Sequence, residues 1–179
     1  MFNRIISWVR VDPTPLGRPV LPGTKPVSGL SVPMCVLSLV HELDGLDGLD
    51  GKVDLAEVRA WAVAEIKLHL MRDNSRVLET VSSEGEEIGG CEGRKMNPGH
   101  AIECGWFLLV EAERSGDLDL RKVAVESFVR SPFEYGWDKE NGGLYSFLDI
   151  EGTMLEFVRM KDLKKKSLNG QCCAKSTLK

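Results

Sequence analysis

The sequence lacks any long hydrophobic run, although hydrophobic residues make up 42% of its 179 positions and charged residues 28%, which are ordinary proportions for a globular protein. No apolar stretch approaches the roughly 20 residues that span a bilayer. The first residues, Met1 to Arg4, lead into no apolar signal-peptide core. The sequence therefore predicts a soluble, cytoplasmic protein that does not act at a membrane.

Several short motifs of enzyme chemistry are also missing. There is no GxGxxG turn and no βαβ alternation, which argues against a nucleotide-binding parallel sheet. There is no G-x-S-x-G nucleophile motif, and no CxxC pair occurs among the five cysteines. The best metal-ligand set is Cys91, His100, Glu103 and Cys104, but its spacing matches no zinc template. We predict no metal.

The net charge of −4 is unevenly distributed along the chain. Residues 159–179 carry +6 and residues 1–158 carry −10. Nucleic-acid binders gain affinity by neutralising phosphates with Lys and Arg, so we do not expect this acidic body to bind nucleic acid. The basic end is predicted to be a divergent, disordered tail over 156–179, and residues 1–155 are predicted to form the folded domain.

Apolar residues recur at helical spacing in five segments, with short hairpins predicted between them. The predicted helices occupy 1–10, 31–44, 54–72, 98–115 and 117–131, and the hairpins lie near 77–88 and 136–149. Residues 11–29 hold five of the eight prolines and are predicted to be a loop. The predicted fold class is therefore mainly α, with small β-hairpins in the connecting loops.

Capping and stop residues set the predicted helix boundaries. The predicted N-caps are Ser31, Asp54 and Asn97, and the predicted stops are Gly116 and Pro132. Glu57 follows Asp54 by three residues and is predicted to complete a capping box.

The chain contains only three histidines, and one of them differs from the others in its surroundings. His41 and His69 lie among apolar residues of predicted helices and are interpreted as packing or rim residues. His100 lies in the first turn of a predicted helix, where the positive end of the helix dipole disfavours the imidazolium form. His100 is therefore the candidate base.

The residues next to His100 suggest how it could work. Glu103, three residues later on the same helix face, is predicted to orient or polarise the ring. Gly99 and Gly105 remove side-chain bulk on either side and are predicted to leave space for a ligand. An ordinary surface histidine with a stabilising acid in the first turn is the open alternative.

Aromatic side chains near this segment are surfaces of the kind on which sugars stack. They are Trp106, Trp137 and Tyr145. Taken one at a time, each is interpreted as a core residue, and sugar stacking is the alternative.

The run from Arg94 to Leu109, which contains Asn-Pro-Gly-His-Ala-Ile-Glu-Cys-Gly-Trp, resembles the signature of the N-acylglucosamine 2-epimerase family, also known as renin-binding proteins. The similarity covers about residues 1–150. It includes Leu16–Pro19, Val32–Met34, Leu78–Glu79, Pro132–Phe133 and the segment from Gly136 to Tyr145.

The resemblance implies an (α/α)6 barrel of twelve helices with the active site at one mouth. It implies interconversion of N-acetylglucosamine and N-acetylmannosamine in amino-sugar metabolism, by a homodimer that uses no cofactor for the chemistry. In this family two histidines act on opposite faces of the sugar carbon C2. His100 matches the first of them, Glu103 matches the acid of the same motif, and Arg94, Asn97 and Trp106 match substrate-binding positions.

The chain also departs from the family pattern. It has no histidine after His100, it lacks the tryptophan-rich segment expected shortly after residue 155, and it lacks the family's N-terminal helices. We therefore expect a central fragment that forms an incomplete (α/α)6 barrel, lacks the second catalytic histidine and is nearly inactive as an epimerase by itself. A non-catalytic fragment that binds renin or another protein is the alternative.

The proline-rich loop contains a candidate regulatory site. By resemblance, Thr14 to Pro19 lies where family members hold ATP as an allosteric regulator. Gly17 would let the backbone approach a phosphate, and Arg18 would donate two hydrogen bonds to it. An ordinary surface loop is the competing interpretation, because the prolines remove backbone donors.

Overall fold

Helices make up most of the chain that the structure describes. The computed structural model describes residues 1–12, 14–16, 26–44 and 54–151. Its helices are α1 (Phe2–Arg10), α2 (Ser31–Leu43), α3 (Leu55–Lys67), α4 (Gly90–Gly93), α5 (Pro98–Ser115), α6 (Leu118–Val123) and α7 (Ser131–Gly136). A π-helical segment, Ala124–Arg130, joins α6 to α7, and a 3-10 turn covers Thr14–Leu16. The prediction of a mainly α fold is confirmed.

Three two-stranded antiparallel sheets lie between the helices. The pairs are β1 (Val27–Gly29) with β4 (Thr80–Ser82), β2 (Leu70–Met71) with β3 (Arg76–Val77), and β5 (Lys95–Met96) with β6 (Leu148–Asp149). Within the described ranges no two strands pair in parallel, in agreement with small sheets in the connections between helices.

The start of α3 confirms one predicted cap and corrects its partner. Asp54 Oδ1 accepts hydrogen bonds from the backbone nitrogens of Ala56 and Glu57, at 2.9 and 3.2 Å. The Glu57 carboxylate, predicted to complete a capping box, instead accepts a hydrogen bond from Arg10 Nη2 at 2.8 Å. Glu57 therefore ties α3 to α1.

Both ends of α5 lie where the sequence predicts them. Asn97 Oδ1 accepts a hydrogen bond from the backbone nitrogen of His100 at 3.1 Å. Gly116 ends the helix with φ of 72°, a left-handed conformation that costs glycine little. The predicted cap of α2 is wrong, because Leu30 occupies the N-cap position with helical backbone angles and Ser31 lies inside the helix.

The hairpin predicted over residues 77–88 is wrong in its pairing. β3 pairs with the preceding β2, and β4 pairs with the distant β1. The turn between β2 and β3 places Arg72, Asp73 and Asn74 at positive φ, between 52° and 61°, a conformation in which Asn and Asp are enriched. Because β2 begins at Leu70, α3 ends at Lys67 rather than near residue 72.

The second predicted hairpin is present in reduced form. Trp137 and Leu144 form a single antiparallel bridge around the turn, and Asp138 N donates to Gly143 O at 2.8 Å. The strand that follows, β6, pairs with β5 instead.

Pro132 does not end the last helix, as the sequence predicts, but lies inside a continuous helical stretch. Proline has no amide hydrogen for the bond that an α-helix would require to Phe128. The π-helical segment immediately before it has wider turns, and Ser131 keeps helical angles of −59° and −49°. The helix therefore passes through Pro132 and ends at Gly136.

The main core lies between α2, α3, α5 and the π-helical segment. Its fully buried members include Leu37, Val40, Val58, Ile66, Leu108 and Phe128. A smaller cluster lies beneath the strands and consists of Leu78, Val81, Met96 and Ile150. Glu79, between two members of the smaller cluster, is thereby placed near the start of α5. No helix in the described ranges is long and apolar enough to cross a membrane.

Candidate active site

The candidate base lies at the N-terminal end of α5. Pro98 begins this helix, and the Asn97 side chain fixes the backbone of His100. The His100 side chain is 41% exposed. Its Nε2 atom makes no hydrogen bond to any residue in the described ranges, so this nitrogen is open to a ligand.

Glu79 is the acid beside His100, and sequence reasoning gave it no role. His100 Nδ1 lies 3.2 Å from both Glu79 Oε1 and Glu79 Oε2. The predicted partner Glu103 is exposed, and its carboxylate makes no hydrogen bond within the described part of the chain. The signal for Glu79 was its position in the family-like pair Leu78–Glu79, but no spacing rule connects residues 21 positions apart.

Burial sets the electrostatics of Glu79, whose side chain is only 12% exposed. Desolvation raises the pKa of Glu79 above its usual value, and nearby His100 and Lys95 partly oppose this shift. Burial also raises the pKa of Tyr135 to about 12, with a smaller contribution from Glu79. Burial raises the pKa of Cys104 as well, so neither side chain is activated as a nucleophile at neutral pH.

The predicted substrate-binding residues occupy different environments. Arg94 Nη2 lies 3.2 Å from Oδ2 of the buried Asp149, so an acid of β6 already holds its guanidinium. Asn97 serves as the helix cap. Trp106 is 61% exposed and lies against Phe107, with ring centroids 5.2 Å apart.

The helix geometry separates Trp106 from the candidate base. Six residues along α5 turn the side chain about 120° away from His100 and move it about 9 Å along the axis. Glu103, by contrast, shares the His100 face to within about 60°. The structure therefore groups Glu103 with His100 and sets Trp106 apart.

The predicted role of Gly105 in making ligand space is wrong. A Cβ atom at Gly105 would lie 2.8 Å from Val129 Cγ2 and 2.9 Å from Phe128 Cβ. Gly105 therefore allows α5 to approach the π-helical segment closely. Gly99 is exposed and leaves its side of the helix open.

Another aromatic surface lies close to the start of α5. The Phe133 and Trp137 rings are stacked at 5.2 Å between centroids, and both are partly exposed. Gly136, the residue before Trp137, packs directly against Pro98, because a Cβ there would lie 2.5 Å from Pro98 Cβ. The end of α7 thus brings an exposed ring to the end of α5 that carries His100.

The other two histidines are structural, as predicted. His41 Nε2 lies 3.0 Å from Glu111 Oε2, and the two side chains are 11% and 12% exposed. His69 is fully buried, and its Nδ1 lies 2.8 Å from Leu78 O. Burial lowers the pKa of His69 to about 4, so the ring is neutral at physiological pH.

The sequence also offers a candidate ATP loop and a candidate set of metal ligands. Gly17 and Arg18, the candidate ATP contacts, lie outside the described residues, as does the tail over 156–179. Within the described ranges, no three His, Cys, Asp or Glu side chains are grouped so that they could hold a metal ion.

Sequence comparison gives consistent matches. A family model described as N-acylglucosamine 2-epimerase matches residues 56–164. The N-acylglucosamine 2-epimerase of Bos taurus is 46% identical over 160 residues, and that of Homo sapiens is 43% identical over 161 residues. Each alignment covers 88% of this chain but only 38% or 37% of the relative. The chain therefore spans less than two fifths of the length of these curated relatives.

Two solved structures match this chain in fold. A crystal structure of D-mannose isomerase matches with a TM-score of 0.57 and 17% identity, over 74% of this chain and 36% of that one. Cellobiose 2-epimerase from Spirochaeta thermophila matches with a TM-score of 0.55 and 16% identity, over 86% and 40%. At such low identity these matches report the fold alone: both neighbours are of the (α/α)6-barrel type, and this chain corresponds to 36% and 40% of them.

Proposed function

The chain belongs to the N-acylglucosamine 2-epimerase family, and from that membership we propose that it carries out one half of a C2 epimerisation. The proposed substrate is an open-chain N-acetylhexosamine, either N-acetylmannosamine or N-acetylglucosamine. The proposed catalytic residue is His100, which takes the proton from C2 and returns it.

The observation that carries this proposal is the position of His100. The ring lies in the family-like motif, is partly exposed, and has Nε2 open to a ligand within the described ranges. A general base must reach the proton it removes, and histidine is the side chain that most often does so near neutral pH. No other histidine of this chain combines exposure with an open nitrogen.

The proposed step needs no redox partner. Nε2 takes the C2 proton, the electrons of the C2–H bond form the C1–C2 double bond, and the aldehyde oxygen takes up the negative charge as an enolate. The proton on Nε2 then exchanges with solvent, and Nε2 delivers a solvent-derived proton to C2. The electrons of the C1–C2 double bond form the new C2–H bond, and the enolate oxygen restores the aldehyde C=O. The chemistry is proton transfer next to a carbonyl, for which we propose no cofactor and no metal.

The proposed product is the starting sugar with its C2 hydrogen exchanged. Inversion at C2 needs a second group on the opposite face, and the sequence has no histidine after His100. We therefore propose that residues 1–155 form an incomplete (α/α)6 barrel, with residues 156–179 outside it. This barrel exchanges the C2 proton but inverts the configuration at C2 only slowly.

Sugar contacts are proposed on two sides of His100. Glu103 lies on the same helix face, and its exposed carboxylate can accept a hydrogen bond from a sugar hydroxyl. Trp137 offers a partly exposed ring for stacking on a sugar face. Arg94 and Trp106 are weaker candidates, because Asp149 pairs with the first and the second faces away from His100.

Deuterium exchange tests the proposed chemistry. We expect N-acetylmannosamine incubated with the full chain in deuterated water to lose its C2 proton signal while little N-acetylglucosamine forms. Replacement of His100 by Asn should lower the exchange rate about 100-fold or more, whereas His41→Asn should leave it nearly unchanged. Absence of exchange above the buffer rate, or equal exchange by His100→Asn, would contradict the proposal.

ATP regulation through Gly17 and Arg18 is a separate proposal with its own test. Calorimetry should show ATP binding that Arg18→Ala weakens and His100→Asn leaves unchanged. Equal ATP affinity in the parent chain and in Arg18→Ala removes this site from consideration.

A further inference from the structure

A carboxylate outside the run from Arg94 to Leu109 contacts the ring of the proposed base. Both oxygens of Glu79 lie 3.2 Å from His100 Nδ1, and none of the described residues contacts Nε2 by a hydrogen bond. An ionised carboxylate can only accept hydrogen bonds. The Nδ1 atom must therefore be the donor, and in the neutral ring the lone pair then lies on Nε2.

Glu79 is fixed by its own backbone. Its carbonyl oxygen accepts a hydrogen bond from Leu30 N at 3.0 Å, and its nitrogen donates to Lys95 O at 2.9 Å. These bonds connect Glu79 to the start of α2 on one side and to β5 on the other. The carboxylate therefore starts from a backbone that two separate elements of the fold hold in place.

The residue before Glu79 is held in the same way. Leu78 N donates to His69 O at 3.0 Å, and Leu78 O accepts a hydrogen bond from His69 Nδ1 at 2.8 Å. Both residues are fully buried. Four hydrogen bonds thus lock two consecutive residues in a segment that belongs to no regular strand.

The side chains of His100 and Glu79 differ in how far they are exposed to solvent. The Glu79 side chain is 12% exposed, whereas that of His100 is 41% exposed. His100 therefore offers surface to an approaching sugar, whereas little of the Glu79 side chain is open to contact. A residue so placed acts through the histidine and does not touch the substrate.

We infer that Glu79 is a positioning residue that holds His100 in the tautomer with a free lone pair on Nε2, aimed at the open side of the site. This inference rests on the proposed function, since it assigns the atom that takes the C2 proton. The general logic is that of a carboxylate that orients a catalytic imidazole through its Nδ1–H.

Nitrogen NMR of the histidine rings tests the tautomer without any need for activity. In the full chain, with the rings neutral, His100 should show a protonated Nδ1 and an unprotonated Nε2. The His41–Glu111 pair is an internal reference, because its contact is through Nε2 and it should show the opposite tautomer. Replacement of Glu79 by Ala should release His100 to a mixture of tautomers and leave the His41 signals unchanged.

Exchange kinetics test the consequence for catalysis. Glu79→Gln keeps the side-chain shape, but its amide can either donate to Nδ1 or accept from it, so the single tautomer should be lost. We expect kcat for C2 deuterium exchange to fall at least about 10-fold, because an imidazole in the wrong tautomer cannot take up the proton, while KM changes little. Glu113→Gln, an exposed position on the same helix, is the matched control and should behave as the parent chain does.

The outcomes separate the two proposals. If the parent chain exchanges deuterium and Glu79→Gln does so equally fast, the positioning role is overturned and the proposed function stands. If the parent chain shows the Nε2-protonated tautomer of His100, the inference is also overturned, whatever the kinetics. If the parent chain exchanges no deuterium, the proposed function fails, and with it the catalytic meaning of the tautomer.

Discussion

Two histidine–glutamate pairs in this chain share one chemistry and differ in their surroundings. In the first, His100 Nδ1 lies 3.2 Å from Glu79 at the start of α5. In the second, His41 Nε2 lies 3.0 Å from Glu111, between α2 and the middle of α5. The glutamates are equally buried, at 12% exposure, but the histidines are 41% and 11% exposed.

Because the chain contains two such pairs, a histidine–glutamate pair by itself does not distinguish the proposed base from a largely buried histidine. The Glu111 carboxylate also lies 3.9 Å from Nε of the buried Arg59, so its charge is shared between α2 and α3 and holds three helices together. The Glu79 carboxylate has one histidine partner whose other nitrogen is open. Under the proposed function, access to the second ring nitrogen is what distinguishes His100 from His41.

The third histidine, His69, is fully buried and has no open ring nitrogen. Both nitrogens of His69 are occupied inside the fold, with Nδ1 2.8 Å from Leu78 O and Nε2 3.5 Å from Ser28 Oγ. Among the described residues no carboxylate pairs with this ring, and burial lowers its pKa to about 4. His69 is therefore a neutral packing residue that supports the Glu79 segment.

Loss of Glu111 should have the largest effect on stability. Glu111→Ala leaves the buried Arg59 with Asp44, 3.6 Å from Nη1, as its remaining acid in the described ranges. Breaking a buried ion pair in this way costs about 3 to 5 kcal/mol. Urea unfolding should show this loss of unfolding free energy. Glu113, two positions later in α5, is exposed, so Glu113→Ala should cost less than about 0.5 kcal/mol.

The same variant also tests whether Glu111 affects the proposed exchange reaction. Since Glu111 lies away from His100, the folded fraction of Glu111→Ala should exchange the C2 proton at the parent rate. Equal unfolding free energies for Glu111→Ala and Glu113→Ala would show that the second pair is not the structural one.

Acid should destabilise the fold through His69. A histidine whose folded-state pKa is lowered keeps its contribution to stability above the unfolded value, near 6.5, and loses it as pH falls towards the folded value of about 4. Over that window the parent chain should lose about 3 kcal/mol of unfolding free energy from this group. Urea unfolding of His69→Gln, which cannot take up that proton, should lose less over the same pH range, and parallel pH curves for the two chains would contradict the assignment.

Local signals in the sequence were enough to predict α5 and the place of His100. Asn97, Pro98 and Gly116 act on their immediate neighbours, so the boundaries of the helix follow from the residues themselves. Glu79 could not be found in this way, because the pairing of β4 with β1 and the backbone bond to Lys95 bring it to His100. Such contacts depend on how distant strands meet, and no spacing along the chain encodes them.

The helix that continues through Pro132 shows the same limit. Proline predicts a stop by its own covalent structure, and the residues around it carry no mark of a π turn. The contact of Gly105 with Val129 and Phe128 fixes where α5 and that segment meet. Gly105, which the sequence suggests as space for a ligand, is instead a packing contact between helices.

Replacement of Glu79 should have the smallest effect on stability, and of the opposite sign. Burial raises the pKa of Glu79 despite the opposing effect of His100. A carboxyl group with a raised folded-state pKa gives its full stabilisation only below its unfolded value, near 4.3, and loses it as the pH rises through the folded value. At pH 7 the parent chain therefore carries a desolvation cost that the neutral Glu79→Gln variant lacks.

Urea unfolding at pH 7 should show a small gain in stability for Glu79→Gln, smaller than the losses expected for Glu111→Ala and for protonation of His69. The gain should vanish below about pH 4. A loss as large as that of Glu111→Ala would mean that both pairs hold the fold together, and the distinction between them would not survive.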